Sequence, residues 1–281
     1  MESTEERFMP EWKGIIELEH FHRYYFVINQ IDLKNKKVLD IASGEGYGSN
    51  ILSRYAQSVI GVDLSNEAVV HAKNKYKCDN LQYIQGDAAK IPLEDESVDV
   101  VVSFETIEHH DKHTEMLVEI KRVLKSNGVL IMSSPDKYYF TDLPDFKNEF
   151  HVKELYYSEF RKLISSYFNR TFFFSQRTFG GSIIALDDVD NRYCKPLVIE
   201  EGGENHPFLP LYNIAIATNN LDFNIFNQIV LYSQHDQVIT KYDVDYAVNA
   251  AELKLRATKT WQLGHFLIYP FKKLKWFVRK H

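Results

Sequence analysis

Apolar residues along the chain switch between two spacings, and the switch divides it into elements. "GIIELEHFHRYYFVINQ" (14–30) repeats its apolar positions at helical intervals and predicts a helix. "KKVLDIA" follows as a short branched run without alternation, as expected of a parallel strand buried on both faces. The same type of run returns in "SVIGVDL" (58–64), "VDVVVSF" (98–104) and "GVLIMSS" (128–134). Between these runs "SNILSRYA", "NEAVVHAKNKY" and "HTEMLVEIKRVLK" have helical spacing. Strand alternating with helix predicts an α/β fold, a doubly wound open sheet with helices on both faces. Further on, "VKELYYSEFRKLISSYF" reads as a helix and "NRTFFFSQ" as a strand. "LYNIAIAT" (211–218) is the last strand, expected to be antiparallel in a mostly parallel sheet.

This pattern divides the chain into an N-terminal helical cap (1–36), a central α/β domain (37–219) and a helical C-terminal tail (220–281). The stretch 178–210, with "LDDVDNRY" and "EEGGENHP", reads as one long loop, and loops of that length are usually functional or mobile. In the tail, Tyr242, Tyr246, Ala250, Leu253, Ala257 and Trp261 recur every three or four residues and share a helical face. That face is expected to pack on the body or on a second subunit in a homodimer. The last 21 residues, "WQLGHFLIYPFKKLKWFVRKH", mix aromatic anchors with lysines, as an interfacial segment or a partner contact would.

Charge sharpens this division. The whole chain carries −6, yet from Leu253 on there are eight basic residues and no acid. An acidic body argues against nucleic acid as substrate, because phosphate contacts need a basic face. Cys78 and Cys194 make no disulfide framework and lack metal-ligand spacing, so a reducing compartment and no metal are expected. The start "MESTEER" lacks the apolar core of a secretory signal, and no apolar run approaches the roughly 18 residues of a membrane span. A cytoplasmic protein, peripheral at the inner membrane surface if the tail binds lipid, is the expectation.

The candidate chemistry begins at "VLDIASGEGYGSN" (38–50), where Gly44, Gly46 and Gly48 form a turn between strand and helix. A phosphate-binding loop needs a lysine after its last glycine, and none is present. The dinucleotide spacing G-x-G-x-x-G is also not met, since the glycines alternate. About 20 residues on, Asp63 ends the second strand, where an acid can accept both ribose hydroxyls of an adenosine. Asp87 in "IQGDAAKIP" is suited to the adenine amino group, with Ala88 beside it.

With "VDVVVSFETIEHH" and "LVEIKRVLKSNGVLIMSSP", these motifs make residues 37–135 resemble the class I S-adenosylmethionine-dependent methyltransferases of the type-11 sort. The family's pattern of D-x-G-x-G-x-G, an acid after strand two, G-D-A, F-D-x-V and R-V-L-K-P-G-G is matched nearly throughout. Ala42 for the first glycine and Asn127 for a later one depart from it. The resemblance implies a Rossmann-like fold and S-adenosyl-L-methionine as cofactor. It places Asp40, Ala42, Gly44, Gly46, Asp63, Leu64, Asp87, Ala88 and Phe104 around that cofactor, with the turn wrapping its methionine end. An alanine at 42 fits this turn if its backbone stays out of the left-handed region.

For a hydroxyl acceptor a methyltransferase must remove a proton, and candidate bases lie where loops leave the strands. "FETIEHHDKH" offers Glu105, Glu108, His109 and His110, and the next loop offers Asp136, Glu149 and His151. His151 is the expected base, directly before a helical pattern, because a histidine is largely neutral near pH 7. His110 and His109 are the alternatives, His109 reading more readily as a positioning or packing residue and His110 also as a cap of the following helix. The flanks "ERFMP…KGIIELEHFHRYYF" and "NEFHVKELY" resemble a methyltransferase subgroup found with glycosyltransferases in polysaccharide pathways. That resemblance implies O-methylation of a sugar hydroxyl on a surface polysaccharide or its nucleotide- or lipid-linked precursor, with a glycosyltransferase as a candidate partner for the tail. A small-metabolite or aminosugar N-methyltransferase, and a catalytically silent assembly factor, stay open as alternatives.

Overall fold

In the computed structural model the described residues are 8–11, 14–178, 181–187, 197–199, 205–207, 209–226 and 229–232. Helix α1 (Ile15–Gln30) leads into the branched runs, which become the middle of one sheet. Strands β1 (Lys37–Ile41), β2 (Ser58–Asp63), β3 (Leu81–Gln85), β4 (Val98–Ser103) and β5 (Leu124–Pro135) are parallel neighbours in the spatial order β3-β2-β1-β4-β5. The crossovers contain α2 (Tyr47–Ser53), α3 (Asn66–Lys75) and α4 (His113–Val123).

After β5 come α5 (Tyr157–Tyr167), β6 (Arg170–Thr178) and β7 (Ser182–Leu186), a short antiparallel pair β8 (Leu197–Ile199) and β9 (Asn205–Pro207), then β10 (Tyr212–Thr218) and β11 (Ile229–Tyr232). β10 lies antiparallel between β5 and β6, and β7 and β11 extend the same edge antiparallel. The expected antiparallel part is therefore four strands, not one. Strand β7 falls in the stretch expected to be a loop. Its "SIIAL" has too few residues to show a period in the sequence, and it is stabilised by pairing with β6 on one side and β11 on the other. Likewise Ile229–Tyr232 is a strand where a helical tail was expected to begin.

Strand residues alternate between two cores. Val38, Val100, Val102, Ile131, Phe174, Ile214 and Ile216 face the layer of α1, α2 and α3. Leu39, Val101, Leu130, Met132, Phe173, Ala215 and Ala217 face α4 and α5. A doubly wound sheet buried on both faces explains why these strands read as unbroken apolar runs.

The chain divides into two compact units, Met1–Asp187 with Leu209–Gln237, and Asp188–Phe208 with Val238–His281. The tail face from Tyr242 to Trp261 and the basic-aromatic end lie outside the described residues. Among the described residues no helix is long and apolar enough to cross a membrane.

Candidate active site

The carboxyl ends of β1, β2, β4 and β5 converge on one edge of the sheet, and the turn after β1 shapes it. Ala42, Gly44 and Gly46 all take positive φ, at 54°, 55° and 97°. Ala42 thus enters the left-handed region that its methyl group was expected to avoid. That costs roughly 1–2 kcal/mol for an L-residue, and the turn holds it there through Ser43, whose N–H donates to the Val62 carbonyl at 3.0 Å. Gly46 has no room for a side chain, because a Cβ would lie 2.7 Å from that of Ala72 and 2.8 Å from the Tyr83 hydroxyl. At Gly48 a Cβ would meet the Tyr24 ring at 1.9 Å, so this glycine admits α1 against α2.

Asp63 closes the turn from the neighbouring strand. Its carboxylate accepts the Gly44 N–H at 2.8 Å and the Ser65 N–H at 2.9 Å. Leu64 beside it is 69% exposed, and Asp87 beyond β3 accepts the Ala89 N–H at 2.8 Å. Ala88 is half-buried against the second core.

Under the turn lies Asp40, fully buried, accepting from the Ser49 hydroxyl at 2.6 Å and the Tyr24 hydroxyl at 3.2 Å. Burial pushes its pKa up to about 7, against the lowering effect of those two donors. Phe104, buried at the end of β4, stands edge-on to Tyr24 with ring centres 5.2 Å apart. The edge therefore combines acids and aromatic faces around a left-handed turn.

The second cluster follows β4. Glu105 takes φ 48°, and its Oε1 accepts from the Ser133 hydroxyl at 2.6 Å. Glu108 sits in a 3-10 turn (Ile107–His109) and is buried, with Oε2 lacking a hydrogen-bond partner. Burial, then the adjacent Glu105 carboxylate, raises its pKa well above the usual range. The Glu108 carbonyl accepts from both Val152 and Lys153, at 2.8 and 3.0 Å, which pins the later loop to the turn.

This loop brings His151 to His109, ring centres 5.2 Å apart. One donor atom from each of Glu108, His109 and His151 lies within 4.8 Å of the other two. His151 Nδ1 bonds Glu154 Oε1 at 2.5 Å, and the Asn148 amide lies 3.0 Å from Nε2. His110 points elsewhere: its Nδ1 accepts the Lys112 N–H at 3.2 Å at the approach to α4, and its ring pairs with His113. Burial, then the nearby His113, lowers its pKa. The expected helix start right after His151 is also displaced, since α5 begins at Tyr157, where Glu159 accepts the Tyr156 N–H at 3.1 Å. Asp136 is buried and tied to Asn213 and to the Tyr138 N–H, while Glu149 is exposed.

Residues 39–132 match the family described as "Methyltransferase domain". That match spans about a third of the chain. Among its relatives is a Mycobacterium tuberculosis protein named "Probable S-adenosylmethionine-dependent methyltransferase", 35% identical over 164 residues, which are 57% of this chain and 58% of that protein. The phthiotriol/phenolphthiotriol dimycocerosates methyltransferase of the same species is 32% identical over 111 residues, 39% of this chain and 41% of that one. The chain thus spans less than two thirds of these relatives. The fold is shared with the YcgJ protein of Bacillus subtilis, at TM-score 0.50 and 19% identity over 76% of this chain and all of that one. The PH0226 protein of Pyrococcus horikoshii also shares it, at TM-score 0.50 and 21% identity, over 75% of this chain and 95% of that one. The first of these relatives is named for its dependence on S-adenosylmethionine.

Three residues of the site are not readable from the motifs. Glu154 is distinguished only by its spacing of three from His151. Tyr24 and Arg23 reach the site from α1, far from it in sequence. Arg23 is buried, donates through Nε to Gln176 at 2.8 Å, lies over the Tyr212 ring at 4.2 Å and has its guanidinium 3.7 Å from Glu105. Burial works against its charge, but Glu105, Tyr212 and Glu19 outweigh that and raise its pKa.

Proposed function

We propose that this protein transfers the methyl group of S-adenosyl-L-methionine to a hydroxyl of a sugar-containing small molecule. The observation that carries the reading is the placement of the left-handed turn with Asp63, and of the Glu108–His109–His151 cluster, after the carboxyl ends of the neighbouring parallel strands β1 and β4. The residues present fit the cofactor. Asp63 is an acceptor-only carboxylate at the end of β2 that accepts N–H groups of the turn, and ribose hydroxyls are donors of the kind it can accept from. Leu64, Asp87 and Ala88 offer an accessible border for the adenine. Asp40, Tyr24 and Phe104 put a carboxylate and aromatic faces near the turn from Ala42 to Gly46, an environment that favours a sulfonium cation.

The bound cofactor supplies an electrophilic methyl carbon. The chain's part is to hold the acceptor within about 3–3.5 Å in line with it and to have its proton removed. His109, His151 and Glu108 face the acceptor side. The segment after β5 exposes Tyr138, Phe146, Phe150 and Tyr156, flat surfaces against which a sugar ring can stack. The same segment exposes Leu143 and Val152, which favours a lipid acceptor as a second reading.

The test is methyl transfer from labelled cofactor to two acceptor pools, soluble nucleotide sugars and lipid-linked sugars, with release of the demethylated cofactor measured in parallel. Label in either sugar pool is expected. Label only in lipids without sugar favours the second reading, and no label in any pool with no cofactor turnover rejects methyl transfer. A membrane role for the basic-aromatic tail belongs to the same proposal: the full chain should co-sediment with anionic vesicles in a salt-sensitive way, and a chain truncated after Thr260 should not.

A further inference from the structure

We infer that Glu108, His109 and His151 form a site for one divalent transition-metal cation at the acceptor end. Its purpose rests on the proposed methyl transfer, but the site itself stands on three separate observations. The first is proximity, with one donor atom of each residue within 4.8 Å of the others. The second is Glu108 Oε2, which belongs to a side chain 1% exposed and has no hydrogen-bond partner. A desolvated carboxylate oxygen is costly unless a proton or a cation meets it.

The third is the orientation of the rings. Phe150 O lies 3.2 Å from His109 Nδ1, and Glu154 Oε1 lies 2.5 Å from His151 Nδ1. Both acceptors call for a proton on Nδ1, so the hydrogen-bond network assigns the lone pair of each ring to Nε2. Asn148, donating its amide to His151 Nε2 at 3.0 Å, agrees with that tautomer. A carboxylate or carbonyl on the far nitrogen is the outer shell that orients metal-binding histidines. Phe140, stacked on His151 at 5.5 Å, and the two bonds to the Glu108 carbonyl hold the parts in place.

Binding requires the donors to close to roughly 3 Å from one another around an ion at about 2.1 Å. It also requires the Asn148 amide to turn away from Nε2. Two imidazoles with one carboxylate suit zinc, manganese, cobalt or iron(II) better than magnesium or calcium, which prefer oxygen ligands. Three protein ligands leave an open position for the acceptor oxygen, whose O–H becomes more acidic there. The acceptor's proton passes to water, its oxygen bonds the methyl carbon, and the electron pair of the broken S–C bond stays on sulfur, leaving a neutral thioether. His151 then serves as a ligand in place of the general base expected from the sequence, and the expectation of no metal is replaced.

The test titrates the full chain with Co²⁺ alone, without cofactor or acceptor, read by visible absorption and calorimetry. Wild type is expected to bind one equivalent. Glu108→Gln and His109→Asn should each lose at least tenfold in affinity, and Glu154→Gln, which removes only the outer-shell carboxylate, about 10–100-fold. Circular dichroism verifies folding, and if Glu108→Gln does not fold, the more exposed His109→Asn decides. Cobalt bound equally by wild type and by these variants is adventitious on one of the other histidines and overturns the site, as does no binding. S-adenosylmethionine affinity, measured on the same samples, should be unchanged in His109→Asn. Cofactor binding without a cobalt site rejects the metal alone, whereas a cobalt site without cofactor binding rejects the methyltransferase reading.

Discussion

The parallel and antiparallel halves of the sheet place their polar groups by different means. In the parallel half the candidate residues follow the ends of their own strands and are held by partners at most 45 residues away. Asp63, for example, is held by the N–H groups of Gly44 and Ser65. In the antiparallel half the polar groups are buried in pairs between α1 and distant strands. Glu19 accepts from Tyr212 and Thr178, His22 bonds Ser182, and Arg23 bonds Gln176, at sequence separations of 153 to 193. The first half builds a ligand edge with local turns, and the second ties the helix over that edge with long-range polar contacts.

Breaking the long-range half should have the largest effect. Arg23→Ala leaves Glu105 and Glu19 without their cationic neighbour, and removing one partner of a buried pair costs about 3–5 kcal/mol. Denaturant unfolding should show that loss. A change below 1 kcal/mol would mean the network contributes little to holding α1.

A second effect, smaller and pH-dependent, isolates the local half. The Asp40 pKa is raised by burial from 3.8 to about 7, so the folded state binds its proton more tightly than the unfolded state. That contribution to stability is present below about pH 4 and is lost as pH rises through about 7, an effect on the order of 4 kcal/mol. Asp40→Asn removes this dependence, so the stability difference between wild type and variant should vary with pH in that window. A constant difference would place the group's titration elsewhere.

The smallest effect concerns the turn itself. Ala42→Gly relieves a left-handed alanine at the cost of backbone entropy, for a net gain of up to about 1 kcal/mol. A loss of stability would show that the alanine methyl makes contacts worth more than the strain.

The contrast between the halves also explains what the sequence made legible. Strands β1, β2 and β4 stood out because burial on both faces leaves branched runs such as "VDVVVS". Asp63 and Asp87 are readable as candidates because a strand end fixes their place within a few residues. The left-handed conformation of Ala42 is not legible in the sequence because it goes with the Ser43 bond to β2, which no local pattern shows. Strands β7 and β11 are not legible because five and four residues are too few for a period, and what holds them is pairing, of β7 with β6 and of β11 with β7. His151 was selected, but its partners Glu108, His109 and Glu154 became a cluster only when the loop docked on the Glu108 carbonyl.

The central claim is that the turn after β1 and the acid after β2 together hold S-adenosylmethionine. Calorimetric titration of that cofactor into wild type and Asp63→Ala tests it most directly. Charge-assisted hydrogen bonds to the ribose, worth roughly 1.5–3 kcal/mol each, predict at least a tenfold loss of affinity in a variant that keeps its circular dichroism spectrum. Equal affinity in the two proteins would contradict the account.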